Sequence, residues 1–308
     1  MLVKQKNRES GEFTNNPSEF IRECMTIGGI MCSIKYQGYI LSGLMILASG
    51  VVSAAETFLQ GELLQSFSIA DAYQGVAIGP EAFYAINNRA VTKADRFQGE
   101  IQVRLQDDRL MHLDSGVIVA DRLYAAHSNY PAWPMASAVE IRDASSLEHL
   151  DFIPLNVTWG SLTWLDWFNG QWWGAFAGYD VIQAGQQAPY AGTDSTRIVR
   201  FNDDYSVAQA WSFPAELLAR MKPMSNSGGS WGADGYLYLS GHDHPEIYIM
   251  AVPDSGSELV WLATVTVEGF DGQGIAWDRS GQSRELWGIQ RDHRQVVKIG
   301  VPVFDPVE

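Results

Sequence analysis

Six histidines occur in this 308-residue chain, and five of them, His112, His127, His242, His244 and His293, sit at one recurring place in a repeated pattern. Each lies just before a short apolar run that begins a repeat, or just after the aromatic-rich run that follows. Arg291 and the tyrosines Tyr130 and Tyr179 share that placement. Histidine changes charge near neutral pH, so these residue types suit acid–base work. An arginine among them could hold a carboxylate or an enolate oxygen. His127, Tyr130, His242 and Arg291 are therefore the candidate catalytic set. Gln74, His112, Ser115, Ser161, Tyr179, Ser230, Gln273 and His293 are candidate substrate-binding residues.

Two other chemistries compete. His127, His242 and either His244 or His293 could converge on a divalent metal, with Asp114 or Asp243 adding an oxygen; the i, i+2 spacing of His242 and His244 puts both on one side of an extended segment. Asp243 is equally a turn residue. Paired carboxylates for glycoside cleavage are less well served, since Gln, Ser and Gly hold the positions that lead the inner strands. No phosphate-cradling loop, nucleophile elbow, zinc-protease helix or calcium loop occurs.

These residues must be positioned by a repeat. The unit recurs five times: a short apolar strand, a tight turn, a second strand rich in Tyr or Trp, a polar loop and two further strands. Inner strands start near Gly75, Gly116, Gly160, Gly229 and Gly274, mostly at the spacing of a four-stranded blade. Turns such as Asn169-Gly170 and Asp234-Gly235 carry hairpin residues. The third repeat is longer, and PAELLARMKPM within it reads as a short helix. The last repeat lacks one strand, and Glu62–Ile69 precedes the first. The pattern predicts an all-β, five-bladed β-propeller of four-stranded blades, with that N-terminal strand closing the ring. Most tryptophans are expected to pack between blades, while Trp133, Trp164, Trp231 and Tyr130 lie near rim segments and could stack on a planar ligand.

Composition narrows the partners. The chain carries 21 Lys and Arg against 36 Asp and Glu, a formal net charge of −15. Nucleic acid is repelled at long range, which favours a small-molecule or saccharide ligand. One positive charge, Lys35, precedes residues 36–55, which hold a short apolar run and then the small residues Ser53, Ala54 and Ala55, the pattern of a secretory signal. Residues 1–55 are thus expected to be an N-terminal extension and signal, and 56–308 a single propeller, secreted or periplasmic, with no integral membrane domain after cleavage. Both cysteines, Cys24 and Cys32, fall in the leader, so the remainder forms no disulfide.

At His127-Ser128-Asn129-Tyr130-Pro131, Gly228-Gly229-Ser230-Trp231-Gly232, Gly241-His242-Asp243 and Gln273-Gly274-Ile275-Ala276-Trp277-Asp278 the chain resembles a group of secreted bacterial propeller proteins commonly labelled "cycloisomerase". The resemblance covers most of 73–299 and implies a propeller enzyme. The Gln-Gly strand starts are also similar to secreted five-bladed glutaminyl cyclotransferases, whose remaining pattern is missing here. Together these observations point to an exported enzyme acting on a small polar or anionic, possibly carbohydrate-derived, substrate by lyase or cycloisomerase chemistry, with no cofactor required beyond a possible divalent metal. A non-catalytic binding propeller and a metal-dependent hydrolase are the alternatives.

Overall fold

The computed structural model describes residues 57–156, 159–182 and 191–306. The leader expected over 1–55 lies outside the described residues. No helix among the described residues is long and apolar enough to cross a membrane.

Five antiparallel sheets follow one another along the chain. Blade 1 is Gly75–Ile78, Ala82–Asn87, Ala90–Asp95 and Ile101–Gln106. Blade 2 is His112–Val119, Arg122–Ser128, Ser137–Asp143 and His149–Pro154. Blade 3 is Ser161–Phe168, Gln171–Ala177, Arg197–Phe201 and Val207–Ser212. Blade 4 is Gly228–Trp231, Leu237–Ser240, Glu246–Ala251 and Val260–Thr266. Blade 5 takes Ala276–Trp277, Glu285–Gln290 and Gln295–Gly300 from the C-terminal end. Its outer strand is Glu62–Ser68, paired antiparallel with Gln295–Gly300, so the ring closes as the repeat count required. The propeller is five-bladed, as expected.

One strand was not foreseen. Thr57–Gln60 adds parallel to the outer edge of blade 4, Thr57 opposite Ala263 and Gln60 opposite Thr266. The chain thus covers two neighbouring blade edges before the first blade begins.

The core lies between blades rather than within one. Alternation along each strand sends apolar side chains to both blade faces, where they meet the next blade. Trp164, Trp173, Trp211 and Trp231 fill the space between blades 3 and 4. Ala215–Met221 is the expected helix, and it buries Leu217, Leu218 and Met221 in that same cluster. Phe67, Phe83 and Trp287 do the equivalent work where blade 5 meets blade 1. Trp164 and Trp231 are therefore core residues, whereas Trp133 is exposed.

Hairpin turns hold each inner strand at its angle. Asn169 and Gly170 both take positive φ, +50° and +75°, the two-residue turn whose twist suits a hairpin. Asp95 and Asp143 lead the outer turns, each carboxylate accepting from two following backbone N–H groups.

Candidate functional site

The inner strands approach so closely that the central channel is divided. The Gly274 N–H donates to the Gln74 carbonyl at 2.9 Å, joining blades 5 and 1 directly. A Cβ on Gly274 would lie 2.3 Å from the Ser115 Cβ, so glycine is required there. This waist separates two cavities, one at each mouth.

The first, about 330 Å³, is lined by Tyr73, Gln74, Asn88, Arg89, Met111, His112, Asp114, Tyr130, Tyr179, Met224, His242, Gln273 and Arg291 among others. Seven residues picked from the sequence meet here: Gln74, His112, Tyr130, Tyr179, His242, Gln273 and Arg291. The tips of inner-strand starts and second-strand ends share this rim, which is why they converge.

His242 and Arg291 form its basic wall. The His242 Nδ1–H donates to Asp243 Oδ1 at 2.5 Å, since an ionised carboxylate only accepts. That leaves the Nε2 lone pair, which accepts from Arg291 Nη1 at 3.3 Å. Arg291 is held by the Tyr73 carbonyl at 2.9 Å and Gln74 Oε1 at 3.2 Å, with its guanidinium 4.6 Å from the Tyr73 ring centroid. No carboxylate neutralises it within ion-pair distance among the described residues. Gln273 occupies left-handed backbone at φ +71°, held by its N–H on the Gly241 carbonyl, and its side-chain amide donates to the His242 carbonyl at 2.6 Å. An unfavourable φ on a non-glycine residue thus ties blade 5 to the His242 loop.

Asp114 and His112 face them. Leu113 pairs with His127 and Gly116 with Ala125, so Asp114 and Ser115 together oppose a single residue in a β-bulge. The bulge brings the buried Asp114 carboxyl to the cavity. Its Oδ2 lies 3.5 Å from His112 Nε2, and its Oδ1 has no hydrogen-bond partner among the described residues. Burial pushes this carboxyl above its ordinary range, against the pull of His112, Arg291 and His242. Asn88 Oδ1 accepts from both Gln74 Nε2 at 2.7 Å and His112 Nδ1 at 2.8 Å, which fixes all three side chains.

The two tyrosines complete the wall. Their rings meet edge-on at 5.4 Å, and Tyr130 also packs 5.1 Å from the His112 ring. Burial raises both phenols above their usual range, and at the fully enclosed Tyr179 the nearby Asp114 adds to the effect of burial. Each is therefore a proton donor at neutral pH.

Six sequence-selected residues are placed elsewhere. His127 turns away from the channel; its Nε2 accepts from the Met111 N–H at 3.2 Å and its ring abuts Phe152 of the outer strand edge-on. Burial holds it neutral, its pKa lowered to about 4. His244 and His293 are exposed and line neither mouth. Ser161 Oγ donates to Ser128 Oγ at 2.7 Å behind Tyr179. Ser115 is buried at the waist. Ser230 belongs to the opposite mouth, because its strand starts at Gly228 and runs away from the rim. There it donates to Asp166 and accepts from the Trp277 N–H, both at 3.0 Å.

The expected metal set is likewise corrected. His127, His242 and His244 do not converge, and among the described residues no group of three or more His, Cys, Asp or Glu is arranged to hold an ion. Both His242 nitrogens are already engaged, one by a guanidinium. Arg89, exposed at the rim, and Asn88 with Tyr73 behind them, complete the site; Arg89 stood in a turn after Asn88 with no pattern to mark it.

No family model matches the chain, and no curated protein matches it by sequence, so the "cycloisomerase" label has no sequence-level support. Solved structures align with this chain at low identity. A PQQ-bound aldose sugar dehydrogenase from Streptomyces coelicolor is 12% identical over 80% of this chain and 82% of its own, with a TM-score of 0.48. A luciferin-regenerating enzyme is 11% identical over 79% of this chain and 98% of its own, at 0.45. A virginiamycin B lyase from Staphylococcus aureus is 12% identical over 73% and 67%, at 0.38. Likeness at this level says nothing about chemistry.

Proposed function

We propose that this chain is an exported enzyme that binds a small anionic, carbohydrate-like substrate in the first cavity and transforms it by proton transfer, in lyase or cycloisomerase fashion. The observation that carries the reading is the Arg291–His242 contact. A cation without a carboxylate partner among the described residues stands beside a histidine whose lone pair faces the cavity and whose far nitrogen is held by Asp243. A substrate carboxylate arriving at Arg291 takes over the guanidinium donor and frees His242 Nε2. That nitrogen then removes a carbon-bound proton next to the carboxylate. The electron pair passes into the carboxylate oxygens, where Arg291 holds the charge. Tyr130, a phenol kept protonated by burial, returns a proton to the far carbon or to a leaving oxygen. Nothing in the step needs a metal ligand set. The acidic chain and its cationic rim favour a small molecule over nucleic acid as partner.

The test is hydrogen exchange and turnover in heavy water. The full chain is incubated with a panel of sugar acids and hydroxy acids, and proton NMR follows the signal beside each carboxylate. The expected result is exchange or conversion of at least one compound, lost in His242→Asn. Conversion that persists unchanged in both His242→Asn and Arg291→Met would place the chemistry elsewhere.

A further inference from the structure

We propose that the ligand of this cavity is a hydroxylated monocarboxylate, with its carboxylate on Arg291 and a hydroxyl on the His112–Asp114 pair. The inference rests on the reading of Arg291 as the anion anchor and adds what the opposite wall selects.

Asp114 is 4% exposed, lines the cavity, and leaves Oδ1 without a partner among the described residues. Buried polar atoms are almost always paired, so one left over in a cavity wall marks a ligand contact. His112 shows what that contact must be. Asn88 Oδ1 accepts from His112 Nδ1, so the imidazole presents Nε2 to Asp114 Oδ2 at 3.5 Å. A proton can sit on either the nitrogen or the carboxyl of this pair. A hydroxyl can donate and accept, so it matches the pair whichever atom holds that proton. An alkyl group would leave the pair unmatched. A second carboxylate at this depth would lie beside the buried Asp114 carboxyl and away from the other cation of the lining, Arg89, which is exposed. A volume of 330 Å³ admits a ligand of monosaccharide size.

The other mouth offers a contrast. Its cavity of about 290 Å³ also holds buried carboxylates, yet Asp166 is taken by Arg279, Ser230 and the Trp231 N–H, and Asp278 by Arg96 and Ser280. Those acids hold the fold, and among the described carboxylates that line the two cavities only Asp114 keeps a buried oxygen without a partner.

Calorimetric binding to the full chain decides the matter. The probes are gluconate, galacturonate and glycerate, their deoxygenated counterparts hexanoate, cyclohexanecarboxylate and propionate, the dicarboxylate glucarate, and neutral glucose. At least one hydroxy acid is expected to bind on the order of tenfold more tightly than its counterpart and than glucarate. Asp114→Ala should remove that preference and leave the deoxygenated acid's affinity in place. His112→Phe, which keeps the ring packing against Tyr130, reads the same preference should Asp114→Ala fail to fold. Equal binding of hydroxylated and deoxygenated acids, both lost in Arg291→Met, would overturn the hydroxyl contact and leave the anchor standing. Binding indifferent to Arg291→Met, or no acid bound at all, would overturn the anchor and this inference with it.

Discussion

Arg291 Nη1 and His242 Nε2 lie 3.3 Å apart, the guanidinium donating to the imidazole lone pair. The contact makes each group the other's placeholder. His242 cannot act as a base while it accepts from Arg291, and the Nη1–H that Arg291 spends on His242 is withheld from an entering anion. An entering carboxylate resolves both conditions at once. Arg291→Met should therefore weaken binding of a carboxylate ligand by about ten- to a hundredfold, the loss expected of a charged hydrogen bond. Titration calorimetry measures it, and circular dichroism should show the propeller intact, since Arg291 is only half buried and holds no ion pair among the described residues.

Rim positions were legible because the repeat itself was. Apolar runs, hairpin turns and the missing final strand together specify five blades and their closure by Glu62–Ser68. The rim rule located seven lining residues without knowledge of any side-chain direction. It failed where direction decided. His127 sits at the correct end of its strand but on the face that turns toward Phe152, and Ser230 lies two residues down a strand that starts at Gly228, far enough along to line the opposite mouth. The bulge that delivers Asp114 arises from a register shift between two strands, and no residue type announces it. Thr57–Gln60 falls outside the repeat, so its pairing with blade 4 had no periodic signal.

His127 gives the fold an acid limit. Its pKa falls from 6.5 in an unfolded chain to about 4 in the propeller, through burial first and the neighbouring His112 charge second. The native state therefore favours the neutral ring. That stability is complete above pH 6.5 and declines as pH falls, because the unfolded chain takes the proton first; below about pH 4 both states hold it. The loss amounts to roughly 3 kcal/mol over that window. His127→Gln, which offers the Met111 N–H an acceptor that does not titrate, should flatten this part of the profile. Urea melts at pH 7 and pH 4 give the comparison.

Asp166 and Arg279 test whether the two mouths are independent. Arg279 donates to both Asp166 oxygens, at 2.7 and 2.6 Å, and to the Trp231 and Trp167 carbonyls, so it joins blades 3, 4 and 5 beneath the second cavity. Arg279→Met leaves the buried Asp166 carboxylate without its cation, a change worth about 3–5 kcal/mol. Denaturant unfolding should show that loss, while ligand affinity at the Arg291 mouth stays at the wild-type value. Loss of binding in the folded variant would show that the waist transmits strain.

The waist is the final point at which sequence, packing and site meet. A methyl group on Gly274 would lie 2.3 Å from the Ser115 Cβ and 2.8 Å from the Gly75 Cα, so the inner strands of blades 1, 2 and 5 cannot keep their spacing around alanine. Overpacking of this kind costs about 1–3 kcal/mol when neighbours can shift. Here one neighbour is backbone, and the shift must part the Gly274 N–H from the Gln74 carbonyl. Gln74 positions Arg291 through its Oε1, so the displacement reaches the anion anchor. Gly274→Ala should lower both melting temperature and ligand affinity, and adding Ser115→Gly should recover part of each. Arg279→Met affects stability alone. The two variants, measured side by side by thermal unfolding and calorimetry, separate strain carried through the waist from simple loss of stability.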